Sequence, residues 1–217
     1  MVFGKIDYLN LLPFHLFMKS FIKGSSAKAT MAYKRNVPAK INKAFLNRRV
    51  DAAFISSIMA KKTPHINLGI IAKKSVKSVL VIPSKSDKKD IESASSNVLA
   101  NILNVSGEVL IGDKALRYAL QNSDYIDLAN LWYKKYKLPF VFALLCYHKD
   151  KKTYKTIERL FLKKQIKIPQ YILEKSSKKT SISKKDILEY LKLISYKVDA
   201  KAELGLKKFY KEAKRRN

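Results

Sequence analysis

The residues best suited to chemistry in this sequence are small, neutral and polar. They recur where a strand-like apolar run meets the start of a helix-like one. Asn10 follows the first such run and Ser56-Ser57 follows the third. Ser95-Ser96-Asn97 opens a later helical pattern, and Gly112-Asp113 follows the run 109–111. In open α/β sheets, ligands bind at the carboxyl ends of strands. Helix N-termini offer free N–H groups and a partial positive charge, which suit a carboxylate. Each residue taken singly has an ordinary alternative as a helix cap, and for Asp113 both roles stay open. Four such joints in one chain point to a polar cleft for a small anion.

Other chemistries find no support. His15, His65 and His148 lack metal-like partner spacing. There is no nucleophile elbow, phosphate-binding glycine loop or dinucleotide fingerprint, so a phosphate- or nicotinamide-dependent reaction is disfavoured. The single cysteine, Cys146, excludes an intrachain disulfide framework and Cys-based zinc spacings. Within the apolar run 140–146 it reads as a small buried hydrophobe.

The elements that must carry these joints follow from apolar periodicity. Residues 2–6 read as a strand. A helix opened by Pro13 carries Phe14, Phe17, Met18, Phe21 and Ile22, with Gly24 as its cap. A strand is expected near 29–33, and Pro38 opens a helix with Ile41, Ala44 and Phe45 on one face. Strand 50–55 ends in Ser56-Ser57, read as N-caps for 58–61. Strands 68–72 and 76–82 follow. This alternation predicts a mostly parallel sheet with helices on its faces. After a polar linker, 84–90, a second unit comprises a helix from Ser95, strand 108–111, a helix from Asp113, a short strand at 126–128 and a helix through Trp132. Run 140–145 reads as a buried strand. The remainder reads as helical, at 156–164, 187–194 and 202–213, with Ser183 and Asp186 resembling a capping box. If strands 76–82 and 140–145 lie side by side, the chain leaves one lobe and returns by the same hinge. That is the layout of a two-lobed ligand clamp, with residues 1–80 and 144–217 as the large lobe and 81–143 as the small one.

Charge is the one compositional extreme. The 217 residues carry a formal +28, from 38 Lys and 7 Arg against 17 acidic side chains, and half of the excess lies in 151–217. Such charge attracts phosphate nonspecifically. No nucleic-acid motif accompanies it, and aromatics are not interleaved with Arg. The reading is therefore Lys-rich solvated faces whose field gathers a small anion, with no specific nucleic acid as partner. No leader pattern and no membrane-spanning run is visible, which points to a cytoplasmic protein without a membrane partner. The sequence does not encode a recognisable oligomeric state.

Several stretches, in order along nearly the whole chain, are familiar. Gly4-Lys5-Ile6-Asp7-Tyr8-Leu9-Asn10 with Pro13-Phe14 resembles the opening of the futalosine-route chorismate dehydratases. So does Asp51-Ala52-Ala53-Phe54-Ile55-Ser56-Ser57, and Ser78-Val79 matches that family's hinge serine. The most specific stretch is Ile111-Gly112-Asp113-Lys114-Ala115-Leu116, followed by Asp127-Leu128, Trp132 and Leu138-Pro139-Phe140-Val141-Phe142-Ala143. The ending, Tyr190-Leu191, Ile194-Ser195-Tyr196, Glu203 and Gly205-Leu206, also fits. Two features depart from the pattern: Tyr136-Lys137 replaces a Thr-Gly, and the second-lobe helix opens with Ser93, Ser95, Ser96 and Asn97 without the usual Thr.

The resemblance implies a type II periplasmic-binding-protein-like fold, an α/β clamp with a hinge of two strands. It implies dehydration of chorismate, a small dicarboxylate, to 3-[(1-carboxyvinyl)oxy]benzoate in menaquinone biosynthesis, without metal or cofactor. Asn10 and Ser78 then correspond to the residues implicated in catalysis. Ser56, Ser57, Ser95, Ser96, Asn97, Gly112 and Asp113 are left to hold the substrate. Three alternatives carry different signatures. A sister-type 1,4-dihydroxy-6-naphthoate synthase would reject chorismate, and its Ser-Pro-Cys-Pro-Asn-Asp opening is not found here. A noncatalytic anion-binding protein would bind chorismate without turnover. A nucleic-acid binder would show steep salt dependence.

Overall fold

The computed structural model describes residues 1–23, 32–84 and 86–216. Short β-rich runs assemble into two sheets. The larger contains β1 (Val2–Lys5), β2 (Ala32–Arg35), β3 (Ala52–Ser56), β4 (His65–Ala72), β8 (Phe140–Tyr147) and β9 (Ile194–Lys197), in the order β2-β1-β3-β8-β4-β9. The smaller is β6-β5-β7, formed by β5 (Val79–Ile82), β6 (Glu108–Ile111) and β7 (Ile126–Asp127).

The expected mostly parallel sheet is not what forms. Only the β1–β2 and β1–β3 pairs are parallel. β8 inserts between β3 and β4 and runs antiparallel to both. Direction explains this: β4 leads out of the large sheet towards the small one, so a strand returning from there must run the opposite way. The return strand therefore pairs with β4, with Ala72 opposite Phe140. It does not pair with the 76–82 run, whose residues 79–82 form the centre of the small antiparallel sheet.

Ten helices cover the sheets among the described residues. They are α1 (Leu12–Lys23), α2 (Pro38–Leu46), α3 (Ser57–Ala60), α4 (Ala94–Leu103), α5 (Gly112–Gln121), α6 (Leu128–Tyr136), α7 (Lys151–Lys163), α8 (Gln170–Thr180), α9 (Lys184–Lys192) and α10 (Ala200–Arg215). The Gly24 cap, and residues 29–31 of the second expected strand, lie outside the described residues. The expected helix over 187–194 stops at Lys192, and Ile194–Lys197 instead forms the edge strand β9 against β4. Ile194 and Tyr196 carry β-forming side chains, and β4 would otherwise expose an unpaired edge. Ser183 does cap α9: its Oγ accepts from the Asp186 N–H at 3.0 Å and donates to Asp186 Oδ2 at 2.6 Å.

Aromatic packing fixes both ends of the structure. Phe14 contacts Phe3, Phe54 and Phe161, with ring centroids 5.0–5.9 Å apart, clamping α1 and α7 to β1 and β3. Phe140 sits between Trp132 and Phe209, at 5.3 and 4.9 Å, joining α6 and α10 over the return strand. Cys146 is fully buried, and burial pushes its thiol up to about 12, so no reactive thiolate forms.

Candidate active site

The strand-to-helix joints converge from both sheets on one cavity. It has a volume of about 80 Å³ and is walled by Ile6, Leu11, Phe54, Ile70, Val76 and Phe142, with Asn10, Ser56, Ser78, Ser93, Ser96 and Gly112 as polar or backbone groups. None of its described lining residues carries a formal charge. An anion here would be held by hydroxyls, an amide and free N–H groups between apolar walls.

Each group is positioned by its own local structure. Asn10 sits in the 3-10 turn Leu9–Leu11 directly after β1. Its carbonyl accepts from the Tyr196 hydroxyl at 2.7 Å, while its side-chain Oδ1 is buried without a hydrogen-bond partner. Buried polar atoms are rarely left so. Ser56 closes β3, where its Oγ accepts from Asn42 Nδ2 at 2.8 Å and its N–H donates to Asn42 Oδ1 at 3.1 Å. It therefore does not cap α3 with its side chain. Ser78 precedes β5. Its Oγ accepts from the buried Tyr190 hydroxyl at 2.9 Å, and its carbonyl accepts from the Gly112 N–H at 2.9 Å. Ser93 is the N-cap of α4: its Oγ accepts from the Ser96 N–H at 3.2 Å and donates to Ser96 Oγ at 2.7 Å.

Of the nine residues singled out in the sequence, Asn10, Ser56, Ser78, Ser96 and Gly112 line this cavity. The other four lie off its wall and are engaged elsewhere. Ser57 and Ser95 face each other across the sheets, Oγ to Oγ at 3.0 Å, and Ser95 Oγ also accepts from the Ile58 N–H at 3.1 Å. Asn97 holds the loop before α4, accepting from the Asp90 N–H and donating to the Asp90 carbonyl. Asp113 accepts from the Leu9 N–H at 3.0 Å and faces a separate, larger cleft.

That second cleft, about 610 Å³, is lined by Lys5, Lys19, Arg35, Lys175 and Lys179 along with Asp7 and Asp113. It is more spacious, but its cations are long surface side chains, and the converging joints lie at the smaller cavity. Tyr8 forms part of both walls. Its hydroxyl donates to Glu92, which lies just before α4, and burial together with this carboxylate raises its pKa.

Sequence reasoning had not singled out Asn42, Tyr8 or Tyr190 as site residues, and it named Ser93 only among the residues opening the second-lobe helix. Asn42 is a buried polar residue within the Ile41, Ala44 and Phe45 face of α2, an irregularity visible in the sequence. Tyr190 shares an apolar helical face with Ile187 and reads as core. Among the described residues, no three His, Cys, Asp or Glu side chains are grouped to hold a metal ion, and no helix is long and apolar enough to cross a membrane.

Comparison with known proteins agrees with this geometry. Residues 93–215 match a family model described as menaquinone biosynthesis. The whole chain aligns with 99% of a chorismate dehydratase from Campylobacter jejuni at 47% identity. Solved structures share the fold at low identity. A protein from Archaeoglobus fulgidus superposes with a TM-score of 0.71 at 12% identity, covering 99% of this chain and 96% of that one. The periplasmic aliphatic sulphonate binding protein of Escherichia coli gives 0.56 at 13%, covering 97% and 86%. A Candida albicans protein described as having the generic periplasmic binding protein fold gives 0.53 at 13%, covering 100% and 94%. The fold is thus that of the periplasmic binding proteins, and the chain belongs to the chorismate dehydratase family of menaquinone biosynthesis.

Proposed function

We propose that this chain dehydrates chorismate to 3-[(1-carboxyvinyl)oxy]benzoate, working in the cytoplasm. The observation that carries the reading is the meeting of Asn10 and Ser78, from different sheets, on one uncharged cavity, in a chain 47% identical to a chorismate dehydratase.

The reaction removes the ring hydroxyl and the hydrogen of the adjacent ether-bearing carbon. The C–H electron pair becomes the new ring double bond, the neighbouring hydroxyl departs with its C–O pair, and the proton taken from carbon balances it, so that one water is lost in total. Aromatisation supplies the driving force, so the protein contributes orientation and placed dipoles more than acid–base strength. The unpaired Asn10 Oδ1 accepts from the substrate's ring hydroxyl, and the Ser78 hydroxyl donates to the oxygen that departs. The substrate's own side-chain carboxylate is the base. Ser56, Ser93, Ser96 and the N–H groups opening α4 and α5 hold the carboxylates, while Ser57, Ser95 and Asn97 brace the joints behind them.

A cavity of about 80 Å³ is smaller than an ordinary ligand pocket. Substrate entry therefore needs the two sheets to part at the crossings 73–78 and 137–139. A division into two lobes belongs to this reading and is supported by the separate sheets; the bounds 1–80 with 144–217 and 81–143 would cut β5 and β8, so the lobe boundaries fall at the crossings 73–78 and 137–139.

The test is incubation of purified protein with chorismate and chromatographic detection of the enol-ether benzoate against an enzyme-free control. Folded protein yielding no product would overturn the reading. Conversion of a cyclic futalosine in its place would indicate the sister activity, and binding without turnover a noncatalytic binding protein.

A further inference from the structure

We propose that Tyr190 is a positioning residue for the dehydration, setting the hydrogen-bond polarity of Ser78 through the bond from its hydroxyl to Ser78 Oγ. The inference rests on the reading that Asn10 and Ser78 face the reacting atoms.

A serine hydroxyl has one proton and two acceptor sites. Left alone, Ser78 could turn its proton to any neighbouring acceptor, and its useful orientation would be one of several. Tyr190 removes that freedom. Its ring is held in α9 beside Ile187, with 3% of the residue exposed, and its hydroxyl donates to Ser78 at 2.9 Å. The phenol is the donor in that bond, so the Ser78 proton is directed away from it. The side on offer is the cavity that Ser78 lines.

Asn10 lines the same cavity, and its side-chain Oδ1 is the atom left buried and unpaired. The order is then Tyr190 O–H to Ser78 O–H to cavity, and the site offers a donor from Ser78 beside an acceptor from Asn10. Burial raises the Tyr190 pKa, with the Asp113 carboxylate adding to the rise, so the phenol stays protonated and the polarity does not reverse with pH.

Two variants and their combination test this, with the whole chain and chorismate as substrate. In Tyr190→Phe, kcat is expected to fall about ten- to a hundredfold, with KM within about threefold of the parent. Its melting temperature should drop by about 2–4 °C for one lost buried hydrogen bond. In a Ser78→Ala background, adding Tyr190→Phe should change kcat by less than about twofold, because the phenol would have nothing left to orient. A lesion that merely loosened the fold would move both backgrounds alike. Parental kcat in Tyr190→Phe, or independent multiplication of the two losses, overturns the proposal. Full activity in Ser78→Ala overturns the site reading itself, and this inference with it.

Discussion

Gly112 faces the ring of Tyr8 so closely that a β-carbon at position 112 would stand 2.7 Å from Tyr8 Cζ and 2.9 Å from both Cε atoms. The glycine opens α5 with φ at +69°, a conformation that L side chains resist. Gly112→Ala therefore meets two penalties: left-handed backbone strain and displacement of the ring that walls the cavity. A loss of about 2 kcal/mol or more is expected in urea unfolding, with a raised KM for chorismate.

Moving that ring would also pull on Glu92. The Tyr8 hydroxyl is its hydrogen-bond partner across the opening between the two sheets, and the carboxylate accepts. Tyr8→Phe removes the clasp but keeps the ring packing. Its KM should rise about tenfold, the worth of one charge-assisted bond of roughly 1.5 kcal/mol, with little change in melting temperature because Glu92 is only partly buried and regains water. Glu92→Ala should reproduce the effect, and the double variant should be no worse than either single one. Additive losses in steady-state kinetics would mean that the two residues act separately.

These two contacts show what a linear reading reaches. Asn10, Ser56 and Gly112 were legible as site candidates because each sits where a period-two run gives way to a helical one. Ser78 was not: it lies within the apolar run 76–82, and only the resemblance drew it out. Ser57 and Ser95 have the same credentials as Ser56 and Ser96, yet they bond to each other. Which of two adjacent serines faces a cavity depends on how the helix start is rotated, and that is set by packing. Tertiary context also decided the sheet. Nothing in Phe140–Tyr147 says that it will insert antiparallel between β3 and β4; the direction follows from where the small sheet sends the chain back. The tyrosines of the C-terminal segment were hidden for a different reason. Tyr190 and Tyr210 read as residues of amphipathic helices and Tyr196 was named only in the resemblance, but the three hydroxyls reach Ser78, the Asn10 carbonyl and the Ser57 carbonyl. The C-terminal part of the chain thereby braces three joints more than a hundred residues earlier.

The turn leading into Ser78 depends on Asp127. Its Oδ2 accepts from the Ser75 hydroxyl at 2.6 Å and from the Val76 and Lys77 N–H groups at 2.9 and 2.8 Å, while Oδ1 caps α6 through the Asn130 N–H. Lys77 holds a positive φ of 59° within this turn. Asp127→Ala strands buried donors and frees the strained turn, so a loss of roughly 3 kcal/mol is expected. Below the unfolding temperature kcat should still fall, since Ser78 follows directly. Asp127→Asn, which keeps one acceptor oxygen and turns the other into an NH2 donor facing N–H groups, should lose less than alanine but well short of parental stability. Equal stability of all three proteins in urea titrations would exclude this role.

Asp113 gives the clearest pH dependence. Burial raises its carboxyl to about 6; the Leu9 N–H and Lys179 pull the other way, and Asp7 adds a smaller rise. The unfolded chain returns it to about 3.9. The native state therefore favours the protonated form, and that contribution is present at low pH and is lost as pH climbs through about 6. Above that, the fold carries a buried carboxylate at a cost of up to about 3 kcal/mol, two units at about 1.4 each. Asp113→Asn retains an oxygen for the Leu9 N–H and carries no charge. Its stability relative to the parent should be lowest near pH 4, improve between about pH 4 and 6, and level off above. Urea unfolding of both proteins across that range measures the difference directly. A gap that stays constant with pH would show that the carboxyl titrates alike in the folded and unfolded chains, and that the Leu9 and Lys179 contacts offset its burial in full.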